Sequence, residues 1–165
     1  MTICVYEDEH FSQFFPLTHR RPVATLRAGI VPLYEHAGRH FPDARLVLVV
    51  RDAVAPLTAH LHTHMPVNII KRDENEEALF VNGRVRAWGD LPQLVSQARL
   101  STRFVNDRME TVAVLFKAPL VNHASKITTA AEYMSVYQQE SREIPDSRTS
   151  ASLYNYLWEI VADID

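Results

Sequence analysis

Short continuous apolar runs alternate along the chain with longer segments whose apolar residues recur at helical spacing. The runs lie at 3–6, 46–50, 78–81 and 111–116. The run at 46–50 is rich in β-branched residues, which is typical of a strand covered on both faces in a parallel sheet, so we predict that it is a central strand. The alternation as a whole predicts a single α/β domain, a three-layer α/β/α arrangement with a mainly parallel sheet and helices on both faces.

The helical segments have recognisable starts and apolar faces. The first places Ile30, Leu33, Ala37 and Phe41 on one face before Pro42. Asp52 is a candidate N-cap for a second helix with Val54, Leu57 and Leu61 inward, and Asp90 is one for a third with Leu94, Val95 and Ala98 inward. Shorter strands are predicted at 67–70 and 103–105, an acidic turn at 73–77, and a further helix at 119–137.

The C-terminal part of the chain changes in composition. Residues 141–152 are rich in Ser, Arg, Asp and Pro and predict a linker after a domain at 1–140. Residues 153–165 then form a final helix with Leu153, Tyr156, Leu157, Ile160 and Val161 on one face. This helix packs either on the domain or on a partner, and an apolar face left uncovered would favour a homodimer.

Composition narrows the class of protein. The 165 residues are 47% hydrophobic and 22% charged, enough apolar material for one core, and the formal net charge is −3. That charge gives no electrostatic footprint for a nucleic acid polymer or a membrane surface, and no apolar stretch approaches the roughly 20 residues of a membrane helix. The single Cys4 excludes a disulfide framework and favours a reducing, cytoplasmic setting.

The most informative stretch is residues 14–35, which connects the first strand to the first helix. In open α/β sheets, ligands bind where strands deliver their carboxyl ends. This stretch carries Arg20, Arg21 and Arg27 among three prolines, and guanidinium groups on a stiff loop are suited to an anion such as phosphate. The alternative is that these arginines are solvated or pair with the neighbouring acidic residues at 7–9.

Several residues of this stretch resemble the opening of the sugar nucleotidyltransferases, which join a sugar 1-phosphate to a nucleoside triphosphate. The resemblance rests on Pro16-Leu17-Thr18, Pro22, the segment 28–33 and Glu35. More closely, the chain resembles a divergent, GlmU-like branch of this family, through Tyr6-Glu7-Asp8 and the pattern Pro-Leu-Thr-x-x-Arg-Pro-Val-x-x-Leu-Arg-x-Gly-Ile. The resemblance implies a Rossmann-like, nucleotide-diphospho-sugar transferase fold. In that branch a left-handed β-helix of hexapeptide repeats usually follows, and none is found up to residue 165.

The sequence also departs from the family's pattern at the phosphate and metal positions. An acidic segment, residues 7–12, stands where a glycine-rich turn is usual, and the signature arginine and lysine fall on Gln13 and Val23. Asn82-Gly83-Arg84 stands where Asn-Gly-Asp helps to hold the catalytic Mg²⁺, so a cation replaces a metal ligand. Arg84 either binds a phosphate or has a structural role, and Asp8 remains as a candidate Mg²⁺ ligand or as the partner of an arginine. Taken alone, Asn-Gly commonly indicates a hairpin turn.

Two further groups of candidate residues lie elsewhere. His60, His62 and His64 would share a face only on a strand, and with no carboxylate or cysteine beside them we predict that they bind no metal. Lys117 follows the strand at 111–116, where a binding cation could sit.

Two kinds of function therefore remain open. As an enzyme, the chain would bind a nucleoside triphosphate and a sugar 1-phosphate. Arg20, Arg21 and Arg27 would neutralise charge, the Pro16-Leu17-Thr18 segment would position substrate, and Asn82, Gly83 and Arg84 would line the pocket. The alternative is a non-catalytic domain that keeps the fold and binds a sugar nucleotide, or that serves only as an interaction module docked through its last helix.

Overall fold

The computed structural model describes residues 1–70, 76–117, 135, 139 and 144–163, which form eight strands, four α-helices and three 3₁₀ turns. The strands are β1 (Thr2–Tyr6), β2 (Arg45–Val49), β3 (Ala78–Asn82), β4 (Val85–Ala87), β5 (Thr102–Val105), β6 (Thr111–Phe116), β7 (Asp146–Arg148) and β8 (Ser152–Leu153). The α-helices are α1 (Leu33–His40), α2 (Ala55–Leu61), α3 (Leu91–Gln97) and α4 (Leu157–Ala162). The 3₁₀ turns, at Glu9–Phe14, Leu17–His19 and Val23–Thr25, all lie between β1 and α1.

Six strands form one sheet in the order β2-β1-β3-β6-β5-β7. Three of the five pairings are parallel, namely β1 with β2, β1 with β3 and β5 with β7, while β6 runs antiparallel to both of its neighbours. The prediction of a single α/β domain with a mainly parallel sheet is confirmed. The short strands β4 and β8 pair separately, so Asn82-Gly83 does not open a hairpin between β3 and β4.

Alternate residues of the strands build a core on each face of the sheet. Ile3 and Val5 belong to the larger core, to which α1 contributes Tyr34 and Ala37 and α3 contributes Leu91 and Val95. Cys4 and Tyr6 point to the other face, where the rings of Phe80 and Phe116 meet edge to face with centroids 5.6 Å apart. The helix predicted at 119–137 and most of the acidic turn at 73–77 lie outside the described residues.

The region around β2 differs from its prediction. β2 pairs with β1 alone among the named strands, and the strand predicted at 67–70 is reduced to one bridge between Leu48 and Val67, so β2 is not central. The apolar composition of β2 indicates that both faces of the strand are buried, but it does not indicate how many strands pair with it. In α2 the inward residue is Thr58, whose Oγ1 donates to Val54 O at 2.8 Å, and Leu57 and Leu61 are exposed. Thr58 can be buried where a leucine was predicted, because its hydroxyl donates a hydrogen bond to a carbonyl of the same helix.

More of the C-terminal segment belongs to the two sheets than the sequence predicts. Within 141–152, Asp146–Arg148 pairs with β5 and Ser152–Leu153 pairs with β4, so the prediction of a linker is wrong for these residues. Polar side chains suit Asp146–Arg148 because this strand lies at the edge of the six-stranded sheet. In α4, Ile160 is buried in a cluster formed by Phe14, Val23, Leu26, Leu33 and Tyr154. The helix packs on its own domain, while Val161 and Trp158 are exposed; a homodimer stays a prediction.

Across the described part of the chain, no helix has the length and apolar character needed to cross a membrane.

Candidate functional site

The carboxyl ends of β1, β2 and β3 meet at one edge of the sheet, and each is followed by charged residues. Tyr6 at the end of β1 pairs with Val49 of β2 and with Asn82 of β3. An arginine stands two residues beyond each of these partners, at 51 and at 84. Glu7 and Asp8 follow Tyr6, so two adjacent acids lie between two arginines.

Asp8 and Arg84 form a buried, bidentate ion pair. Arg84 Nη2 donates to Asp8 Oδ2 at 2.6 Å and Nε lies 3.0 Å from both carboxylate oxygens, with the side chains 3% and 9% exposed. Arg84 Nη1 donates to Tyr154 O at 2.6 Å and to Asn155 Oδ1 at 3.3 Å, and Asn82 Nδ2 donates to Asp8 Oδ2 at 2.9 Å. Because all three of its side-chain nitrogens already donate to protein acceptors and the side chain is buried, Arg84 has the geometry of a structural cation instead of a phosphate ligand.

Glu7 and Arg51 form the second pair, which the sequence analysis missed. Arg51 Nη1 lies 2.6 Å from Glu7 Oε1, and the Glu7 side chain is 1% exposed. Burial raises the pKa of Glu7, while the hydrogen bond and the charge of Arg51 oppose that rise. The available signal was that Arg51 comes directly after an apolar β-branched run, as Arg84 comes just after β3.

Gly83 is required by the close approach of three segments at this edge. Its N–H donates to Tyr6 O at 2.8 Å. A Cβ at this position would lie 3.0 Å from Tyr6 O and 3.0 Å from Ala24 Cβ. A substitution would therefore push the first crossover away from the sheet.

The segment predicted to bind substrate is anchored at Thr18. This residue is fully buried and its Oγ1 donates to Phe11 O at 2.7 Å, so its hydroxyl is committed to the protein. Pro16 and Leu17 are exposed beside it.

The three arginines of the first crossover are all exposed. Arg27 Nη1 donates to Ile30 O at 3.3 Å, next to Gly29, whose φ of +80° lies in the left-handed region. Arg20 and Arg21 lie on the short stretch between Thr18 and Val23. The convergence of the three guanidinium groups on one anion stays a prediction.

The residues at Asp8 do not fit a divalent cation. Arg84 occupies the position that a metal would take against this carboxylate, and two positive charges so close would repel each other. Among the residues that the structure describes, no cluster of three or more His, Cys, Asp or Glu side chains could hold a metal ion. His62 instead makes edge-to-face contacts with Tyr34 and His64.

Lys117 is not part of this edge. Because β6 runs antiparallel to β3, Phe116 pairs with Ala78 and Lys117 lies at the opposite end of the strands. Its Nζ contacts Glu77 Oε1 at 2.5 Å. The position of Lys117 therefore depends on the direction of β6, which the local sequence does not encode.

A polar cavity of about 210 Å³ opens on the same edge as the two ion pairs. It is lined by the turn between β5 and β6, by residues around β8, and by Arg86, which Asp163 holds through hydrogen bonds of 2.8 Å from Nε and from Nη2. Asn155 lines the cavity and also accepts from Arg84, so the cavity adjoins the buried Asp8–Arg84 pair.

Comparison with known proteins gives one family and a set of structural neighbours. Residues 3–165 match the family described as sugar nucleotidyl transferase. A Bacillus anthracis protein assigned as a glucose-1-phosphate thymidylyltransferase superposes with a TM-score of 0.59 at 10% identity, over 98% of this chain and 94% of that one. No curated protein sequence matches the chain.

Two further neighbours show the same fold. A UDP-glucose pyrophosphorylase from Acinetobacter baumannii gives a TM-score of 0.59 at 9% identity, over 99% of this chain and 91% of that one. A CTP:phosphocholine cytidylyltransferase from Streptococcus pneumoniae gives 0.56 at 9% identity, over 98% and 96%. At such low identity these neighbours establish the architecture, and the family match establishes the relationship.

Proposed function

The chain belongs to the sugar nucleotidyl transferase family, and from that premise we propose that it joins a sugar 1-phosphate to a nucleoside triphosphate with release of pyrophosphate. The observation that carries the proposal is the extent of the family match, which covers residues 3–165 and so includes the whole edge described above. In open α/β sheets, the carboxyl edge is where ligands bind.

The chemistry is a displacement at phosphorus. A phosphate oxygen of the sugar 1-phosphate attacks the α-phosphorus, a new P–O bond forms, and the bond to the β-phosphate oxygen breaks as pyrophosphate leaves. Such a reaction depends on placement and on neutralising phosphate charge more than on a covalent nucleophile. We assign the neutralisation to Arg20, Arg21 and Arg27, which are exposed on the first crossover.

Other residues of the edge would shape the pocket. Gly83 lets the first crossover approach the end of β3, and Asn82 holds Asp8 in place beside it. Pro16 and Leu17 would form part of the rim, while Thr18 holds the crossover through its buried hydroxyl. The hydroxyl, amide and guanidinium groups around the neighbouring cavity suit the hydroxyl groups of a sugar.

The residues at Asp8 do not suit the metal ion that the family implies. Mg²⁺ is implied by the family, but Asp8 is already neutralised by Arg84, so these two residues would not hold it. Adding EDTA, and then restoring Mg²⁺, measures the metal requirement directly.

The test is pyrophosphate release from the four common nucleoside triphosphates with a panel of sugar 1-phosphates. We expect release that depends on one base and one sugar, and an R20A/R21A variant that loses at least about tenfold in rate. The matched control is R39A, because Arg39 is an exposed arginine in the last turn of α1.

The alternatives give different results. Nucleotides that raise the melting temperature without any pyrophosphate release would replace the proposal with a non-catalytic binding domain. If nucleotides neither raise the melting temperature nor lead to pyrophosphate release, an interaction module is the remaining function.

A further inference from the structure

The exposed stretch that carries Arg20 and Arg21 is held at both ends by one ion pair, in which Glu7 is buried and Arg51 is 20% exposed. At one end, Arg51 Nη2 donates to Thr18 O. At the other end, Val23 N–H donates to Glu7 Oε1 at 3.0 Å. Only His19, Arg20, Arg21 and Pro22 lie between these two anchors.

The pair itself is fixed from several directions. Glu7 Oε1 is 2.6 Å from Arg51 Nη1, and the guanidinium carbon of Arg51 lies 4.2 Å from the centre of the Phe11 ring. Thr18 Oγ1 donates to Phe11 O at 2.7 Å, which ties the aromatic residue and the anchor together. Each end of the stretch is thus attached to the sheet through side chains at the ends of β1 and β2.

A buried ion pair of this kind is weak support for stability, because desolvation offsets much of the attraction between the charges. Burial does raise the pKa of Glu7, which is the sign of such a desolvation cost. Apolar side chains of similar volume would fill the same space as well. What they could not do is accept the N–H of Val23 and donate to the carbonyl of Thr18.

We propose that Glu7 and Arg51 are positioning residues that clamp residues 18–23 so that Arg20 and Arg21 are presented to the phosphates of the substrate. This inference rests on the proposed function. A loop that is already ordered loses less conformational entropy on binding than a free loop, so the clamp raises phosphate affinity without touching phosphate. Glu7, which stands where a glycine-rich turn is usual in the family, would then hold in place the stretch whose arginines bind phosphate.

Two readouts test the clamp, using R51Q and E7M with R103Q as the control; the methionine of E7M is close to glutamate in volume but cannot accept the N–H of Val23. Arg103 also forms a bidentate pair with a carboxylate, that of Asp146, but at the strand pair β5–β7. Trypsin cleaves after Arg20 but not after Arg21, because Pro22 follows. We expect cleavage at this one bond to accelerate about tenfold in R51Q and E7M under conditions where the proteins stay folded, and to be unchanged in R103Q.

The second readout is affinity for inorganic tripolyphosphate, measured by calorimetry. We expect the Kd to rise about tenfold in R51Q, and the same substitution to change it less than about twofold in an R20A/R21A background, since residues that act through one another are not additive. If R51Q does not fold, R51K serves instead, because it keeps the charge and loses the fork.

The outcomes separate this inference from the function on which it rests. Equal losses of affinity in both backgrounds, or unchanged cleavage after Arg20, would overturn the clamp while leaving the proposed function standing. Failure of tripolyphosphate to bind the unsubstituted protein would overturn the phosphate site and with it the role given to the clamp.

Discussion

Replacing Arg84 by methionine tests whether the carboxyl edge depends on charge pairing. The substitution keeps the volume of the side-chain stem but leaves the Asp8 carboxylate, which is 9% exposed, without its cation. Removing one partner of a buried pair costs about 3–5 kcal/mol, because an uncompensated charge stays in the interior. The hydrogen bonds from Arg84 to Tyr154 O and Asn155 Oδ1 are lost as well, so we expect the upper half of that range.

The control lies two residues away. Arg86 pairs with Asp163 in the same bidentate geometry, but the two side chains are 42% and 28% exposed. An exposed pair contributes about 0–1 kcal/mol, so R86M should be nearly neutral. The two variants share the residue type, the substitution and the bidentate geometry of the ion pair, and they differ in burial and in the hydrogen bonds that Arg84 makes to Tyr154 and Asn155.

Urea unfolding at neutral pH, followed through tryptophan fluorescence, gives the free energy of unfolding and its denaturant slope. A loss of about 4 kcal/mol would be a large share of the roughly 5–15 kcal/mol typical of a domain. In the D8A/R84M double variant the two losses should not add, since the second substitution removes the charge that the first left unpaired. If R84M and R86M differ by less than about 1 kcal/mol with equal slopes, the reasoning from burial is refuted.

Three further predictions follow from the same geometry. G83A should lower the free energy of unfolding by about 1–3 kcal/mol through overpacking, because the new Cβ would meet a backbone oxygen at 3.0 Å. G38A in α1, where the new Cβ would meet only the end of the Leu46 side chain at 3.3 Å, should cost less, and urea unfolding distinguishes the two variants. Because burial raises the pKa of Glu7 above 4.5, the folded state holds this proton more tightly, and the contribution of Glu7 to stability falls as pH rises through the raised pKa. The difference in unfolding free energy between the unsubstituted protein and E7Q, measured from about pH 4 to pH 8, should therefore shift in favour of E7Q; a flat difference would contradict the shift. Y154F removes the hydrogen bond of 2.8 Å from the tyrosine Oη to Asp163 Oδ2 and should cost about 1 kcal/mol in thermal unfolding, and a cost below about 0.3 kcal/mol would show that water replaces it.

The local pattern of the sequence identified most elements but not their neighbours. The strands β1, β2, β3, β5 and β6 and the helices α1 and α3 follow from apolar runs and periodicity, which depend on a few adjacent residues. The edge position of β2 depends on which strands lie beside it. The same is true of the position of Lys117, which lies at the opposite end of the strands from the two ion pairs because β6 is antiparallel to β3.

The sequence predicts only part of the candidate site, because the rest depends on which strands are neighbours. Asp8, Asn82 and Arg84 were singled out from motif positions, and the structure brings them into direct contact. The pairing of Glu7 with Arg51 could not be read from the sequence, because 44 positions separate the residues and only strand order makes them neighbours.

The alternation of acids and arginines across β1 has a consequence for how the sheet assembles. Glu7 and Asp8 are consecutive, yet one finds its cation beyond β2 and the other beyond β3. A one-residue slip of β1 would turn every side chain to the opposite face, so each carboxylate would confront the wrong strand and both charges would be stranded. These four charged groups therefore destabilise a misaligned β1, at the edge of the sheet where we propose that substrate binds.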